Sequence, residues 1–91
     1  MTPIYNHILK QIQTGDITRA QQTIEQLLRD KPDDAWLLYL QGNVYRRQGL
    51  YDNAYNCYLR ASEIDPDNPA AEAAYILDEI YSFRNKDLYN Q

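Results

Sequence analysis

Apolar residues recur three and four positions apart along most of this chain, and no segment shows the strict alternation of a β-strand. That spacing places the apolar residues on one face of a helix. Glycine and proline interrupt the pattern at Gly15, Pro32, Gly49 and Pro66, where turns are expected. The pattern therefore predicts an all-α fold with one helix before and one after each glycine, and a fifth helix after Pro69.

An internal repeat organises these helices. A shift of 34 residues aligns residues 1–34 with residues 35–68 without a gap. The identical pairs include Gly15 with Gly49, Ala20 with Ala54, Pro32 with Pro66, and Tyr5 with Tyr39. We therefore predict a single domain over 1–91: a first repeat of residues 1–34, a second of residues 35–68, a C-terminal capping helix of residues 69–84 and a polar tail of residues 85–91. Each repeat is expected to be an antiparallel helix-turn-helix.

The predicted helices begin at residues that favour helix starts. Thr2 is expected to cap the first helix, with Pro3 in its first position, and Asp33 or Asp34 to cap a third helix near residues 35–47. Asn68 precedes Pro69 and is expected to cap the fifth. The fourth helix should turn one stripe inward, made of Tyr51, Ala54, Tyr55, Tyr58, Ala61 and Ile64.

The second repeat carries the motifs Gly42-x-x-Tyr45 and Ala54-x-x-x-Tyr58, followed by Ala61 and Pro66. At 34-residue spacing these resemble the tetratricopeptide repeat. The resemblance implies helix pairs stacked in a right-handed superhelix, a TPR-like α-solenoid, whose first helices line a concave groove that binds protein segments. Leu38 stands where the family usually has tryptophan and Gln41 where it usually has an apolar residue, so packing is expected to differ there.

The family's groove positions fall on identifiable residues of this chain. They are Thr2, Tyr5, Leu9, Ile12 and Gln13 in the first repeat, Trp36, Tyr39, Asn43, Arg46 and Arg47 in the second, and Ala73, Leu77, Ile80 and Tyr81 in the fifth helix. The predicted peptide or protein contacts among them are Tyr5, Leu9, Ile12, Trp36, Tyr39, Asn43, Arg46, Arg47 and Leu77.

Two of these assignments have a structural alternative. Trp36 can instead belong to the core, and the two arginines can simply interact with the negative end of their helix. Best-known relatives grip a terminal carboxylate with residues from three repeats, and this chain offers only Asn43 with Arg46 or Arg47. A full carboxylate clamp is therefore not expected.

The fifth helix carries more apolar residues than a helix packed on one side needs. Self-association through Ala73, Leu77, Ile80 and Tyr81 is accordingly the alternative function, either as a homodimer or with one copy's fifth helix in another's groove. The remaining alternatives are that these alanines and tyrosines tolerate solvent, or that the chain is truncated from a longer solenoid.

Composition narrows the function classes. Thirteen acidic and nine basic residues give a net charge of -4, which disfavours nucleic acid as a partner. No window approaches the ~18 consecutive apolar residues of a membrane span. Cys57 has no cysteine to pair with and His7 no second ligand nearby, and no catalytic motif is present. We predict a cytoplasmic binding protein, not an enzyme, with no cofactor or metal.

Overall fold

Five α-helices follow one another in the computed structural model, which describes the backbone of residues 2–89 and the side chains of residues 2–80. They are α1 (Pro3–Gln13), α2 (Ile17–Asp30), α3 (Ala35–Arg47), α4 (Tyr51–Ile64) and α5 (Ala70–Tyr89). Each helix packs on the next, and α1 packs on α3 as well. The predicted all-α architecture of sequential TPR-like helices is confirmed.

Two glycines close the turns within the helix pairs. Gly15 has φ +90° and Gly49 has φ +78°, both in the left-handed region where a side chain is strained. The amide of Asp16, just after the first glycine, donates to Gln11 O at 2.8 Å, so the turn satisfies a carbonyl at the end of α1. The two turn glycines predicted from the repeat are confirmed.

Side-chain caps begin two of the helices. Oδ1 of Asp34 accepts a hydrogen bond from Leu37 N at 3.1 Å, and Oδ1 of Asn68 accepts one from Ala70 N at 3.0 Å. Thr2 occupies the predicted N-cap position before Pro3, but its side chain makes no capping hydrogen bond. Thr2 is exposed, so water can satisfy the opening amides of α1, and only its backbone carbonyl joins the helix.

The end of the fifth helix differs from the prediction. It was expected at about residue 84 with a polar tail from residue 85, whereas α5 continues to Tyr89. No glycine or proline occurs in residues 70–89, so no helix-breaking residue ends the helix before Tyr89. Polar composition alone is not a stop signal.

The core consists of two clusters that meet at α3. One joins α1, α2 and α3 through Ile8, Ile12, Ala20, Ile24, Leu37, Leu40 and Val44. The other joins α3, α4 and α5 through Ala35, Leu38, Ala54, Tyr58, Ala61, Ala70, Ala73, Ala74 and Leu77. Leu28 and Tyr39 pack against both clusters. The third helix therefore connects the two repeats.

The unusual residues of α3 are accommodated in different ways. Leu38, in the place of the family's tryptophan, is buried in the cluster with α4 and α5. Gln41 is also buried, and its Oε1 has no hydrogen-bond partner among the described residues. An unsatisfied buried acceptor lowers stability, so this position is a weak point in the packing.

The inward stripe of α4 is confirmed in its middle and wrong at its ends. Ala54, Tyr58 and Ala61 have no exposed surface, whereas Tyr51 is 44% and Ile64 42% exposed. These two are the first and last residues of the helix. Periodicity identifies their side of the helix but not how far the neighbouring helices extend along it.

The large ring of Tyr58 on α4 packs against Gly42 on α3, which has no side chain. The repeat shift equates Gly42 with Ile8 and Tyr58 with Ile24, and all of these residues are buried. A Cβ placed on Gly42 would lie 2.6 Å from Cδ1 and 3.0 Å from Cζ of Tyr58. The second repeat thus packs a large ring against bare backbone where the first packs two isoleucines.

We expect Gly42→Ala to lower the free energy of unfolding by about 1–3 kcal/mol, because the added methyl group overlaps the Tyr58 ring. In a Tyr58→Ile background, which copies the first repeat, the methyl group has room. There the same change should stabilise by about 0.5–1 kcal/mol, since alanine is favoured over glycine inside a helix. Urea unfolding followed by circular dichroism measures all four proteins. An equal cost in both backgrounds would show that the ring does not limit this position.

Candidate functional site

A groove runs between α1 and α3 and contains a cavity of about 260 Å³. We call it the α1–α3 groove, and its lining residues are Leu9, Ile12, Gln13, Tyr39, Asn43, Arg46 and Arg47. Six of them belong to the contact set predicted from the sequence, and Gln13 was a predicted groove position. The structure therefore brings together most of the expected residues of the first two repeats.

The apolar part of the groove is continuous with the protein core. Ile12 is only 4% exposed. Leu9 and Tyr39 are half-buried and pack against the core cluster that joins α1, α2 and α3. The Tyr39 ring meets the Trp36 ring edge-on, with 5.9 Å between the ring centroids. It also contacts the Tyr58 ring at a tilted angle, with 5.8 Å between the centroids. These neighbours hold Tyr39 in place, so the groove presents a largely preformed apolar surface.

Asn43 supplies an oriented polar group in this surface. Its Oδ1 accepts a hydrogen bond from the buried hydroxyl of Tyr58 at 2.5 Å. Because the oxygen is engaged, the amide Nδ2 is the remaining hydrogen-bond donor, and it has no acceptor among the described residues. Tyr58 therefore fixes which end of the Asn43 amide is left for a ligand.

Two arginines in the last turn of α3 complete the lining. Arg46 and Arg47 are both exposed, and neither forms an ion pair with any residue that the structure describes. Arg46 lies close enough to Tyr58 to act on its pKa, and Nη2 of Arg47 lies 3.8 Å from a Cβ position on Gly15. Their guanidinium groups thus bring positive charge to the groove lining that no described carboxylate neutralises.

The environment of Tyr58 keeps its hydroxyl protonated. Burial raises the pKa of Tyr58 to about 12, against the opposing effect of the Arg46 charge, and Tyr39 and Cys57 raise it further. A protonated hydroxyl can donate to Asn43 throughout the physiological range. The hydrogen bond that orients the amide is therefore constant under those conditions.

Three predicted contact residues lie outside the cavity lining. The Tyr5 hydroxyl donates to Oδ2 of Asp34, a contact that joins α1 to the start of α3, and burial with the Asp34 carboxylate raises the pKa of Tyr5 to about 12. Trp36 is half-buried and contacts the Tyr39 ring, but it is not part of the cavity lining. Leu77 belongs to the core between α4 and α5, so its predicted place in the groove is wrong.

The same packing corrects the predicted self-association stripe. Ala73 is 9% and Leu77 6% exposed, because α5 uses this side to pack on α4. Ile80 is 48% exposed, and Tyr81 lies outside the described side chains. The exposed large apolar residues of the described part of α5 are Tyr75, Ile76 and Ile80.

A second cavity, of about 240 Å³, lies between α4 and α5. We call it the α4–α5 pocket, and the described residues that line it are Tyr51, Asp52, Tyr55, Leu77 and Asp78. Sequence reasoning missed it, since the pocket depends on how α5 lies across the start of α4. The only sign of this pocket in the sequence is that acidic residues occur on both α4 and α5, with tyrosines beside them on α4.

Other reactive chemistry is sparse in the described part of the chain. The described residues contain no group of three histidine, cysteine or carboxylate side chains placed to hold a metal ion. Burial raises the pKa of the Cys57 thiol, and the Arg60 charge offsets part of this rise. The raised pKa disfavours the reactive thiolate. No helix among the described residues is both long and apolar enough to cross a membrane.

Comparison with known proteins agrees with the repeat. Residues 42–71 match the family model described as TPR repeat. The solution NMR structure of Bacteroides fragilis protein BF1650 superimposes with a TM-score of 0.83 and 38% sequence identity, over 99% of this chain and 92% of that one. This chain belongs to the tetratricopeptide-repeat family. Domains of this family are generally protein–protein interaction modules, and the match names no catalytic activity.

Two curated relatives extend the comparison. The RNA polymerase II-associated protein 3 of rat and that of mouse are each 33% identical to this TPR chain over 67 residues, which is 72% of its length. The chain spans only 10% of the length of these relatives.

We expect Tyr58→Phe to reduce the free energy of unfolding by about 1–3 kcal/mol at neutral pH, because Asn43 Oδ1 loses its donor. The folded pKa of Tyr58, about 12, lies above its ordinary value of 10.0, so its contribution is complete below pH 10 and is lost as pH rises through 12. The stability gap between wild type and variant should therefore shrink from pH 9 to 12 in urea unfolding experiments. Tyr5 also has a raised pKa, but it is present in both proteins, so its effect on stability cancels in the difference between them. A gap that does not change with pH would contradict this role.

Proposed function

We propose that this TPR protein binds an acidic segment of another protein in the α1–α3 groove. The observation that carries the proposal is the combination of an apolar surface with two arginines that have no acidic partner among the described residues. Clefts lined by one sign of charge attract ligands of the opposite sign and orient them. The family's general role as a protein-interaction module supports the same assignment.

Three kinds of contact would hold the segment. Its apolar side chains would bury against Leu9, Ile12 and Tyr39, which supplies most of the affinity. The Asn43 Nδ2 would donate to a carbonyl or carboxylate oxygen, in the orientation that Tyr58 imposes. Arg46 or Arg47 would pair with an aspartate or glutamate, for which a guanidinium group gives two parallel hydrogen bonds.

The groove sets a limit on affinity. The cavity of about 260 Å³ is small, and two repeats offer a short line of contact. Interfaces well below ~1,200 Å² are characteristic of weak and transient complexes. We therefore expect modest affinity and a strong dependence on salt, since the arginines are exposed and their attraction is screened.

Self-association through α5 is the second candidate, and it is favoured by the exposed Tyr75, Ile76 and Ile80. A symmetric antiparallel pair of α5 helices centred between Tyr75 and Ile76 would place Glu72 of each copy beside Glu79 of the other, because both are equally distant from that centre. Both glutamates are exposed in the single chain. Repulsion between these carboxylates disfavours that one register. We rank peptide binding first because the groove also carries two arginines that no described carboxylate neutralises.

Selection from a random peptide library against the immobilised protein tests the groove assignment. We expect the bound peptides to carry an acidic residue near apolar ones. Arg46→Glu should weaken binding of a selected peptide at least tenfold by isothermal titration calorimetry, because the charge near the ligand is reversed. Arg29→Glu, on the exposed surface of α2 and outside the cavity lining, is the matched control with the same change of charge.

The titrations are carried out at protein concentrations where light scattering shows a constant mass, so that self-association does not compete with peptide binding. Equal weakening by Arg46→Glu and Arg29→Glu would indicate only a long-range charge effect and would contradict a specific groove contact. Selected peptides without acidic residues would contradict the proposed ligand class.

A further inference from the structure

The α4–α5 pocket has a chemical character unlike that of the α1–α3 groove. The two cavities share no lining residue, and where the groove carries two arginines the pocket carries Asp52 and Asp78. The pocket therefore cannot be an extension of the groove's binding surface for an acidic ligand. It calls for a ligand of the opposite charge.

The two carboxylates come from different helices and have no partner among the residues whose side chains the structure describes. Neither Asp52 nor Asp78 forms a hydrogen bond or an ion pair with a described residue. Asp52 lies in the first turn of α4, where the helix dipole favours a negative charge. Asp78 lies in the interior of α5, far from either helix end, so the dipole does not account for its position.

The remaining lining suits an alkyl chain that ends in a cation. Leu77, buried in the core between α4 and α5, provides an apolar surface, and Tyr51 and Tyr55 add two aromatic rings. The face of a tyrosine ring attracts an ammonium or guanidinium group. Lysine and arginine side chains combine such a stem with such a charge.

The size of the pocket selects a single side chain. Its volume of about 240 Å³ is smaller than the ~300–1,000 Å³ typical of sites for drug-sized molecules and cofactors. A metal ion would need further ligands, and no group of three suitable side chains occurs among the described residues. The chain's net charge of -4 adds a general attraction for a basic partner.

We propose that the α4–α5 pocket binds a lysine or arginine side chain of a partner protein, with the alkyl stem against Leu77 and Tyr55 and the cation between Asp52 and Asp78. This site is separate from the groove and does not depend on the groove's function. The protein would then contact an acidic segment on one side of α3 and a basic residue beyond α4.

Titration of the full chain with n-butylammonium chloride, a mimic of the lysine side chain, tests the site by ¹H–¹⁵N NMR. We expect saturable shifts at the amides of Tyr55 and Leu77, with a dissociation constant on the order of millimolar for so small a ligand. Two further titrations separate the contributions: n-butanol has the stem without the charge, and ammonium chloride has the charge without the stem. Both should give weaker, unsaturated shifts.

Asp52→Asn combined with Asp78→Asn should raise the dissociation constant for n-butylammonium at least tenfold. The matched control is Glu63→Gln with Asp67→Asn, which removes the same charge from exposed residues outside the pocket and should leave binding unchanged. Spectral dispersion checks that both variants are folded. Equal binding of n-butanol, equal shifts with ammonium chloride, or unchanged binding by the pocket variant would each overturn the proposal.

Discussion

The contact of Tyr58 with Gly42 and Asn43 is the constraint on which the second repeat depends. The ring occupies the volume left by the missing Cβ of Gly42, so α3 and α4 approach closely, and the hydroxyl ends in a hydrogen bond to Asn43. One side chain therefore sets the packing of a helix pair and the orientation of a polar group in the groove. The proposed binding is thereby coupled to stability, because a change that displaces the ring also releases the Asn43 amide.

Charge divides the surface on the two sides of this contact. Arg46 and Arg47 lie in the α1–α3 groove, whereas Asp52 and Asp78 lie in the pocket between α4 and α5. Unpaired charges of one sign add little to folding stability when they are exposed, and they repel each other. The helix dipoles favour the positions of Arg46, Arg47 and Asp52, whereas that of Asp78 has no such explanation. The two proposed ligands of opposite charge would account for all four.

Much of the fold could be predicted from the sequence because it depends on local chemistry. The glycines at 15 and 49, the cap at Asp34 and the 34-residue shift each specify backbone independently of distant contacts. The groove residues of α1 and α3 followed from the family register. The role of Leu77 could not be predicted in the same way, because no second helix follows α5 in the described chain and α5 packs its apolar side on α4. The Tyr5 contact with Asp34 also depends on tertiary distance, which periodicity does not contain.

The most direct test of the account is to map a library-selected acidic peptide onto the protein by NMR, using amide shifts and intermolecular contacts. We predict that the largest changes fall on Leu9, Gln13, Tyr39, Asn43 and Arg47, on the two helices that line the groove. The exposed surface of α2 should remain unaffected. Changes concentrated on α2, or on α5 alone, would show that the acidic ligand does not bind between α1 and α3, and the central claim would be wrong.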